Sequence, residues 1–296
     1  MVQIATMKKL VLLLNISFMI LIVSCKEHDK VESVEDVESD PVITRQEPKS
    51  VSYHLENTKL WLSAHAGDDK MLGIAYAINR TDANNLKQMD SIIIPGDISG
   101  DIEFYLPFPL LVSYLKNIKK IIFFSYPTQT FAAYEKGQLI YTGPTNMGSE
   151  KHKTPTGLFF TNWKAEETTS TFDDEWDLRW NFNVENKLGV GWHQYSLPGY
   201  PASHSCLRLQ EKDAKLLYEW ADEWQLADSE TVKVKGTPVV VFGGYDFKAP
   251  KPWLQLIANP KALAISEKEI EEQTMPFLST ILKEQKNRET VQSDEK

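Results

Sequence analysis

The sequence predicts an α+β, β-rich fold, and three observations carry that expectation. The uninterrupted apolar run Ile121-Ile122-Phe123-Phe124 suits a strand buried on both faces. Residues 129–135 and 138–142 flank Lys136-Gly137, the spacing of a β-hairpin with glycine in its turn. Helical spacing is confined to the flanks: Leu60, Leu62, Leu72, Ile74, Ala75 and Ile78 before these strands, and Ala214, Leu217, Ala221 and Trp224 after them. Eight Trp, eleven Tyr and thirteen Phe supply ample core for one large domain, or for one domain with a small companion.

Residues 1–25 read as a targeting segment. Met7-Lys8-Lys9 is positive, residues 10–23 are apolar apart from Asn15 and Ser17, and Ser24-Cys25 follows. That length is short for a membrane-spanning helix and suits a signal-peptide core. Ile22-Val23-Ser24-Cys25 resembles the bacterial lipobox, which implies that Cys25 is acylated and becomes the first residue of the mature chain. The alternatives are an uncleaved apolar anchor, or an ordinary signal peptide with a chance cysteine. Residues 26–50 are expected to be a disordered acidic tether. Seven carboxylates up to Asp40 face only Lys26 and Lys30, and no Phe, Tyr or Trp lies between Lys26 and Tyr53. Loss of the leader removes Lys8 and Lys9 and takes the formal charge from −9 to −11. Such a charge argues against a nucleic-acid partner, which would want a basic face.

Residues 51–117 read as a small, helical N-terminal subdomain. Helices give way at Asn79-Arg80-Thr81-Asp82, and Ile92-Ile93-Ile94-Pro95 follows as an apolar strand. This order resembles a LysM peptidoglycan-binding module, although its opening strand is not recognisable. Residues 118–246 form the main domain. After the hairpin, Gly143-Pro144 and Gly148 mark loops, Lys153-Thr154-Pro155-Thr156-Gly157 a turn, and Leu158-Phe159-Phe160 a new strand. Residues 163–187, polar and aromatic with Trp176 and Trp180, are too long for a simple connection and are expected to form a lid or substrate loop. Asp173, Asp174, Glu175 and Asp177 there are placed to attract an amine, or simply to form a solvated face. Gly189-Val190-Gly191-Trp192-His193 is extended again, and Pro238-Val239-Val240-Val241-Phe242 closes the domain as a buried strand. Residues 247–296 are an extension with an amphipathic piece near 270–282 and a charged tail.

Within the main domain, Ser203-His204-Ser205-Cys206-Leu207-Arg208-Leu209 holds the one thiol left once Cys25 is set aside. In an extended segment side chains alternate, so His204, Cys206 and Arg208 share one face while Leu207 and Leu209 point to the core. A thiol of ordinary pKa, about 8.5, is scarcely ionised at neutral pH and needs a base within hydrogen-bond reach. His193 and His204 are the candidates, with Pro198-Gly199-Tyr200-Pro201 as the turn that returns the chain. Backbone N–H groups at Ser205 and Cys206 are placed to hold an oxyanion, and Arg208 to hold a substrate carboxylate or carbonyl or to pair with a protein acid. Other readings are a buried small hydrophobe at Cys206, a satisfied core histidine at His193, or zinc on His193, His204 and Cys206. No paired Cys or His-rich spacing supports metal, and neither a metal nor a cofactor is expected.

Ser-His-Ser-Cys-Leu-Arg-Leu resembles the signature of the YkuD family of L,D-transpeptidases: Ser, His, Gly, Cys, an aliphatic residue, then Arg. The resemblance extends over 118–242 and takes in the hairpin, Gly143-Pro144, Thr154-Pro155-Thr156-Gly157 and the His193 region. It implies a sandwich-like catalytic domain, Cys206 as the acylated nucleophile, His193 as general base, and His204 and Arg208 as the motif histidine and arginine. Two departures stand out. Ser205 replaces the usual Gly and is strained if that position needs positive φ. Gln194 follows His193 where many members carry Gly. The implied reaction forms 3→3 cross-links between peptidoglycan stem peptides with release of D-alanine. An L,D-carboxypeptidase or wall-protein-releasing hydrolase using the same thioester is one alternative, and an inactive peptidoglycan-binding lipoprotein another. The implied setting is the cell envelope, with a monomer held to a membrane by its N-terminal lipid and facing the periplasm.

Overall fold

Alternating burial organises the middle of the chain. The structure is a computed structural model that describes residues 43–170 and 177–294. The leader with Cys25, most of the acidic segment, and Asp173, Asp174, Glu175 and Trp176 lie outside the described residues. Strands β1 (Tyr53–Asn57) and β2 (Ser91–Pro95) pair antiparallel around helices α1 (Thr58–Ala64), α2 (Asp69–Ile78) and α3 (Ala83–Leu86). Asn57, Asp68 and Asp82 start these helices, each accepting a hydrogen bond from a first-turn backbone N–H. β1 is the strand that sequence reading did not recognise. Only Tyr53 of its five residues is buried, so it carries no apolar alternation. Residues 43–50, read as part of the tether, lie against 97–103: Gln46 N–H donates to Asp101 Oδ2 (2.7 Å), and Arg45 Nε pairs with Glu103 Oε1 (3.2 Å).

The main domain follows with β3 (Lys120–Ser125), β4 (Thr130–Glu135), β5 (Gln138–Pro144), β6 (Gly157–Phe160), β7 (Lys164–Thr169), β8 (Asp177–Glu185), β9 (Val190–Gln194), β10 (Leu207–Leu209), α4 (Glu211–Trp220), β11 (Gln225–Leu226), β12 (Val232–Val234) and β13 (Pro238–Phe242). The expected hairpin is β4–β5. Lys136 and Gly137 both have positive φ (48° and 82°), the pair of values a two-residue hairpin turn demands. A five-stranded sheet runs β5-β4-β3-β13-β6, with β3 and β13 parallel, and a four-stranded sheet runs β10-β9-β8-β7.

Side chains of the five-stranded sheet alternate between two cores. Ile122, Phe124, Phe131, Ala133, Val239 and Val241 face Phe182, Val184, Trp192, Leu207 and Leu209 of the second sheet, together with Ala214 and Leu217 of α4. Ile121, Phe123, Ala132, Tyr134, Val240 and Phe242 face the other way, onto Val112, Leu115, Ile270 of α5 (Glu267–Thr274) and Ile281 of α6 (Leu278–Asp294). The α+β, β-rich expectation is therefore what the structure shows, with the C-terminal extension forming a layer behind the central sheet.

Residues 163–187 differ from expectation. Described on both sides of 171–176, they are strands β7 and β8, antiparallel from Lys164↔Phe182 to Thr169↔Asp177, rather than a structureless loop. The charged, weakly apolar pattern of β7 hid a solvent-facing edge of the second sheet, while β8, inside that sheet, alternates Leu178, Trp180, Phe182 and Val184 with polar residues. Asp177 is exposed at the start of β8.

Candidate active site

Residues Leu207 and Trp192 are paired in parallel strands β10 and β9, and both bury their side chains between the sheets. By alternation their neighbours Arg208 and His193, also paired, share the opposite face of the second sheet. Cys206 immediately precedes β10 on the same side. The turn at 198–201 lies on a crossover between parallel neighbours, not in a hairpin.

The expectation of an extended 204–209 holds only from Leu207. Residues 204–206 are bent, and Ser205 has φ +80°, the left-handed backbone for which glycine is the ordinary residue. Several contacts hold this bend. Ser203 Oγ donates to Cys206 O (2.6 Å), and Ser149 N–H to Ser203 O (2.9 Å). Thr154 Oγ1 donates to Ser205 O (2.9 Å) while accepting from Gly148 N–H (2.8 Å). Gly148 itself has no room for a side chain: a Cβ would sit 2.1 Å from His152 O. Neither the Ser205 nor the Cys206 N–H has an acceptor among the described residues.

Cys206, His193, His204 and Arg208 line one narrow slot of about 20 Å³, together with Ser203, Tyr195, Ser170 and Leu178. Cys206 is partly exposed, and its Sγ lies 3.6 Å from Gly189 O. The thiol is thus not sealed in the apolar interior. Burial pushes its pKa up, while Arg208 opposes that rise. His193 is 4% exposed, and burial drives its pKa down to about 4 despite its bond to Gln194. Its Nδ1 is 3.0 Å from Gln194 O; a carbonyl only accepts, so Nδ1 carries the proton and Nε2 keeps a free lone pair. Both shifts favour a neutral thiol beside a neutral imidazole at pH 7.

The Arg208 guanidinium lies over the Tyr195 ring at 4.5 Å and pairs with no carboxylate among the described residues. Its charge favours thiolate on Cys206 and disfavours imidazolium on His193. Its backbone is locked to Asn146 by two 2.9 Å hydrogen bonds. His204 lies against His152, with ring centroids 4.6 Å apart and the ring planes tilted by 35°. Among the described residues no group of three or more His, Cys, Asp or Glu is placed to hold a metal ion, and no helix is long and apolar enough to cross a membrane.

Sequence reading singled out five residues here, Cys206, His193, His204, Ser205 and Arg208, and the structure brings all five together. It missed Tyr195, His152 and Asn146, and it included Ser203 as the first residue of the motif without giving it a role. Tyr195 alternates with His193 beyond β9, a signal available in principle. The others arrive through loops whose contacts no periodicity reveals.

Residues 119–241 match the family model of YkuD, the L,D-transpeptidase catalytic domain, and the resemblance read over 118–242 coincides with that match. No curated protein matches the chain. Among solved structures, an L,D-transpeptidase from Stackebrandtia nassauensis is 24% identical, covering 43% of this chain and 57% of its own, with a TM-score of 0.35. One from Mycobacterium smegmatis is 20% identical over 43% and 59%, with a TM-score of 0.34. One from Mycobacterium tuberculosis H37Rv is 17% identical over 43% and 58%, also at 0.34. The chain spans less than three fifths of the length of each of these three structures.

Proposed function

We propose that this chain is a cysteine acyltransferase of the L,D-transpeptidase class, forming 3→3 peptidoglycan cross-links through a Cys206 thioester. The observation that carries the reading is a partly exposed thiol sharing a slot with a histidine whose Nδ1–H is held by Gln194 O, inside the segment that matches the catalytic-domain model. Cys206 Sγ attacks the carbonyl carbon of the third residue of a stem peptide as its proton passes to His193 Nε2. General-base transfer in the attack fits the pair better than a standing thiolate, because burial disfavours both charges. The N–H groups of Ser205 and Cys206 receive the oxyanion. Collapse breaks the amide, and D-alanine leaves with the imidazolium proton on its nitrogen. The side-chain amine of a second stem then attacks the thioester, gives a proton to His193, and displaces the thiol, which recovers that proton. Arg208, stacked and without a carboxylate partner among the described residues, is assigned to a substrate carbonyl or carboxylate.

The same reading places the protein in the cell envelope, anchored through acylated Cys25 and facing the periplasm. Mass spectrometry of the mature N terminus checks the anchor, and an unmodified Cys25 removes it. Incubation with purified tetrapeptide-bearing wall fragments tests the reaction. Cross-linked dimer with free D-alanine is expected; tripeptide monomer alone makes the site a carboxypeptidase, and no turnover an inactive binder. A carbapenem adduct is expected on the wild type and absent from Cys206→Ala; its persistence there would falsify the nucleophile assignment.

A further inference from the structure

Far from Cys206 in sequence, a second cavity of about 410 Å³ opens between the N-terminal subdomain, including its segment 104–107, and the C-terminal extension. Its size falls within the range of small-ligand pockets. Most of its wall is apolar, including Phe104, Leu106, Pro107, Leu256 and Leu263, and no carboxylate lines it. Arg80 does, and its side chain is 1% exposed. Three of its five donors are used: Nε to Thr128 O (2.6 Å), and Nη1 to Ala77 O (2.5 Å) and Ile78 O (3.1 Å). Nη2, with two donors, has no acceptor among the described residues, and the Trp253 ring stacks beneath the guanidinium at 5.6 Å. The Tyr53 hydroxyl lines the same cavity, 7% of that residue being exposed, and makes no hydrogen bond to the described residues. Asn259 and Lys261 stand exposed at the mouth.

A buried guanidinium without a counter-ion is costly, and carbonyl dipoles with an aromatic face compensate it only in part. Burial lowers the Arg80 pKa to about 9 and raises that of Tyr53 to about 12, the mark of a desolvated place that lacks an anion. A free Nη2 group on a buried planar cation can donate one charge-assisted hydrogen bond to a carboxylate oxygen, and with a tyrosine beside it and a greasy wall the site is complementary to one carboxylate with an apolar body. We propose that this cavity binds a small organic carboxylate, seated on Arg80 and Tyr53 with Lys261 at its entrance. Neither the Cys206 chemistry nor the family match is needed for this site; it stands apart from the proposed function.

Calorimetric titration of the full-length protein with two probes tests the proposal and separates the sources of such a carboxylate: hexanoate stands for a free acid, and N-acetyl-D-alanine for a peptide C terminus. Binding of at least one probe at millimolar concentration or tighter is expected, with its carboxamide analogue at least tenfold weaker. Lys261→Glu, at the surface, is expected to weaken binding at least tenfold. Ala264→Trp, filling the exposed edge of the cavity, is expected to abolish it while the far-UV circular dichroism spectrum and the urea unfolding midpoint stay unchanged, which reports an intact fold. Absence of binding by both probes, equal affinity for acid and amide, or indifference to both substitutions overturns the proposal.

Discussion

The two faces of the five-stranded sheet are covered in different ways. Behind it, Ile270 and Ile281 pack on Phe123, Tyr134 and Val240 with no buried ionisable carboxylate or imidazole among them. α5 on that side is conventionally started, Ser266 Oγ accepting from Glu269 N–H at 3.1 Å. In front, the second sheet and α4 bury an equally apolar core but carry a desolvated histidine, a desolvated thiol, a buried aspartate and a non-glycine residue in left-handed backbone. The rear layer only stabilises. The front layer spends part of that stability on holding polar groups in unfavourable places, which is where chemistry is to be sought.

The largest effect that would sharpen this contrast lies at His193. His193→Gln keeps an N–H for Gln194 O but removes the base, so carbapenem acylation should slow by about 10²–10⁴-fold. The wild-type rate should stay level as pH falls past 6.5 and drop only near pH 4, since burial has moved His193 there. Because the folded pKa is depressed, neutral His193 supports the fold fully above about 6.5, and that support is lost as pH falls from there through 4. An acid limb at 6.5 in the wild type would mean that His193 is not the desolvated base described.

Ile281→Ala should do the reverse. It removes a fully buried side chain from the rear core and should cost about 3 kcal/mol in denaturant unfolding, with the acylation rate of folded protein unchanged. A loss of rate exceeding threefold would show that the rear layer also positions the slot, and the division between layers would fail.

Asp213 offers a comparable energy with a pH signature. It sits in the first turn of α4, fully buried; Tyr141 donates to its Oδ1 at 2.6 Å, and Oδ2 has no partner. Burial raises its pKa from 3.8 to about 6. A raised carboxyl pKa contributes stability that is complete below about 3.8 and is lost as pH rises through 6. The loss amounts to at most roughly 3 kcal/mol, and Asp213→Asn should flatten stability between pH 4 and 7. An unchanged slope in the variant would assign the pH dependence elsewhere.

How much of this was legible in the sequence follows from the same contrast. Continuous apolar runs and turns were readable: 121–124 and 238–242 announced buried strands, 130–142 a hairpin and 190–193 an extended segment, and Leu207 and Leu209 announced which way Arg208 faces. β1 and β7 were not, because strands half in solvent carry mixed polar residues; β8 was not, although Leu178, Trp180, Phe182 and Val184 alternate with polar residues, because it lies in a stretch read as a whole as a lid or substrate loop. The identity of the site residues was readable from one short motif. Their state was not: the Nδ1 proton on His193 depends on Gln194 O, the stacking of Arg208 on Tyr195, and the bend at 204–206 on Thr154 and Ser149 arriving from another loop.

That bend gives the smallest and most discriminating test. Serine in left-handed backbone costs about 1–2 kcal/mol, which glycine escapes, while glycine loses about 0.5–1 kcal/mol more chain entropy than alanine on folding. Alanine keeps the strain and also loses the bond from Ser205 Oγ to His204 O. At an ordinary position glycine is the less stable of the two. At 205 the order should invert, with Ser205→Gly more stable than Ser205→Ala by about 1 kcal/mol in urea unfolding. Both variants retain the backbone N–H groups assigned to the oxyanion, so acylation should change less than threefold in the glycine variant. If alanine proves the more stable, the left-handed turn does not exist in solution and the N–H groups of Ser205 and Cys206 are not presented as described.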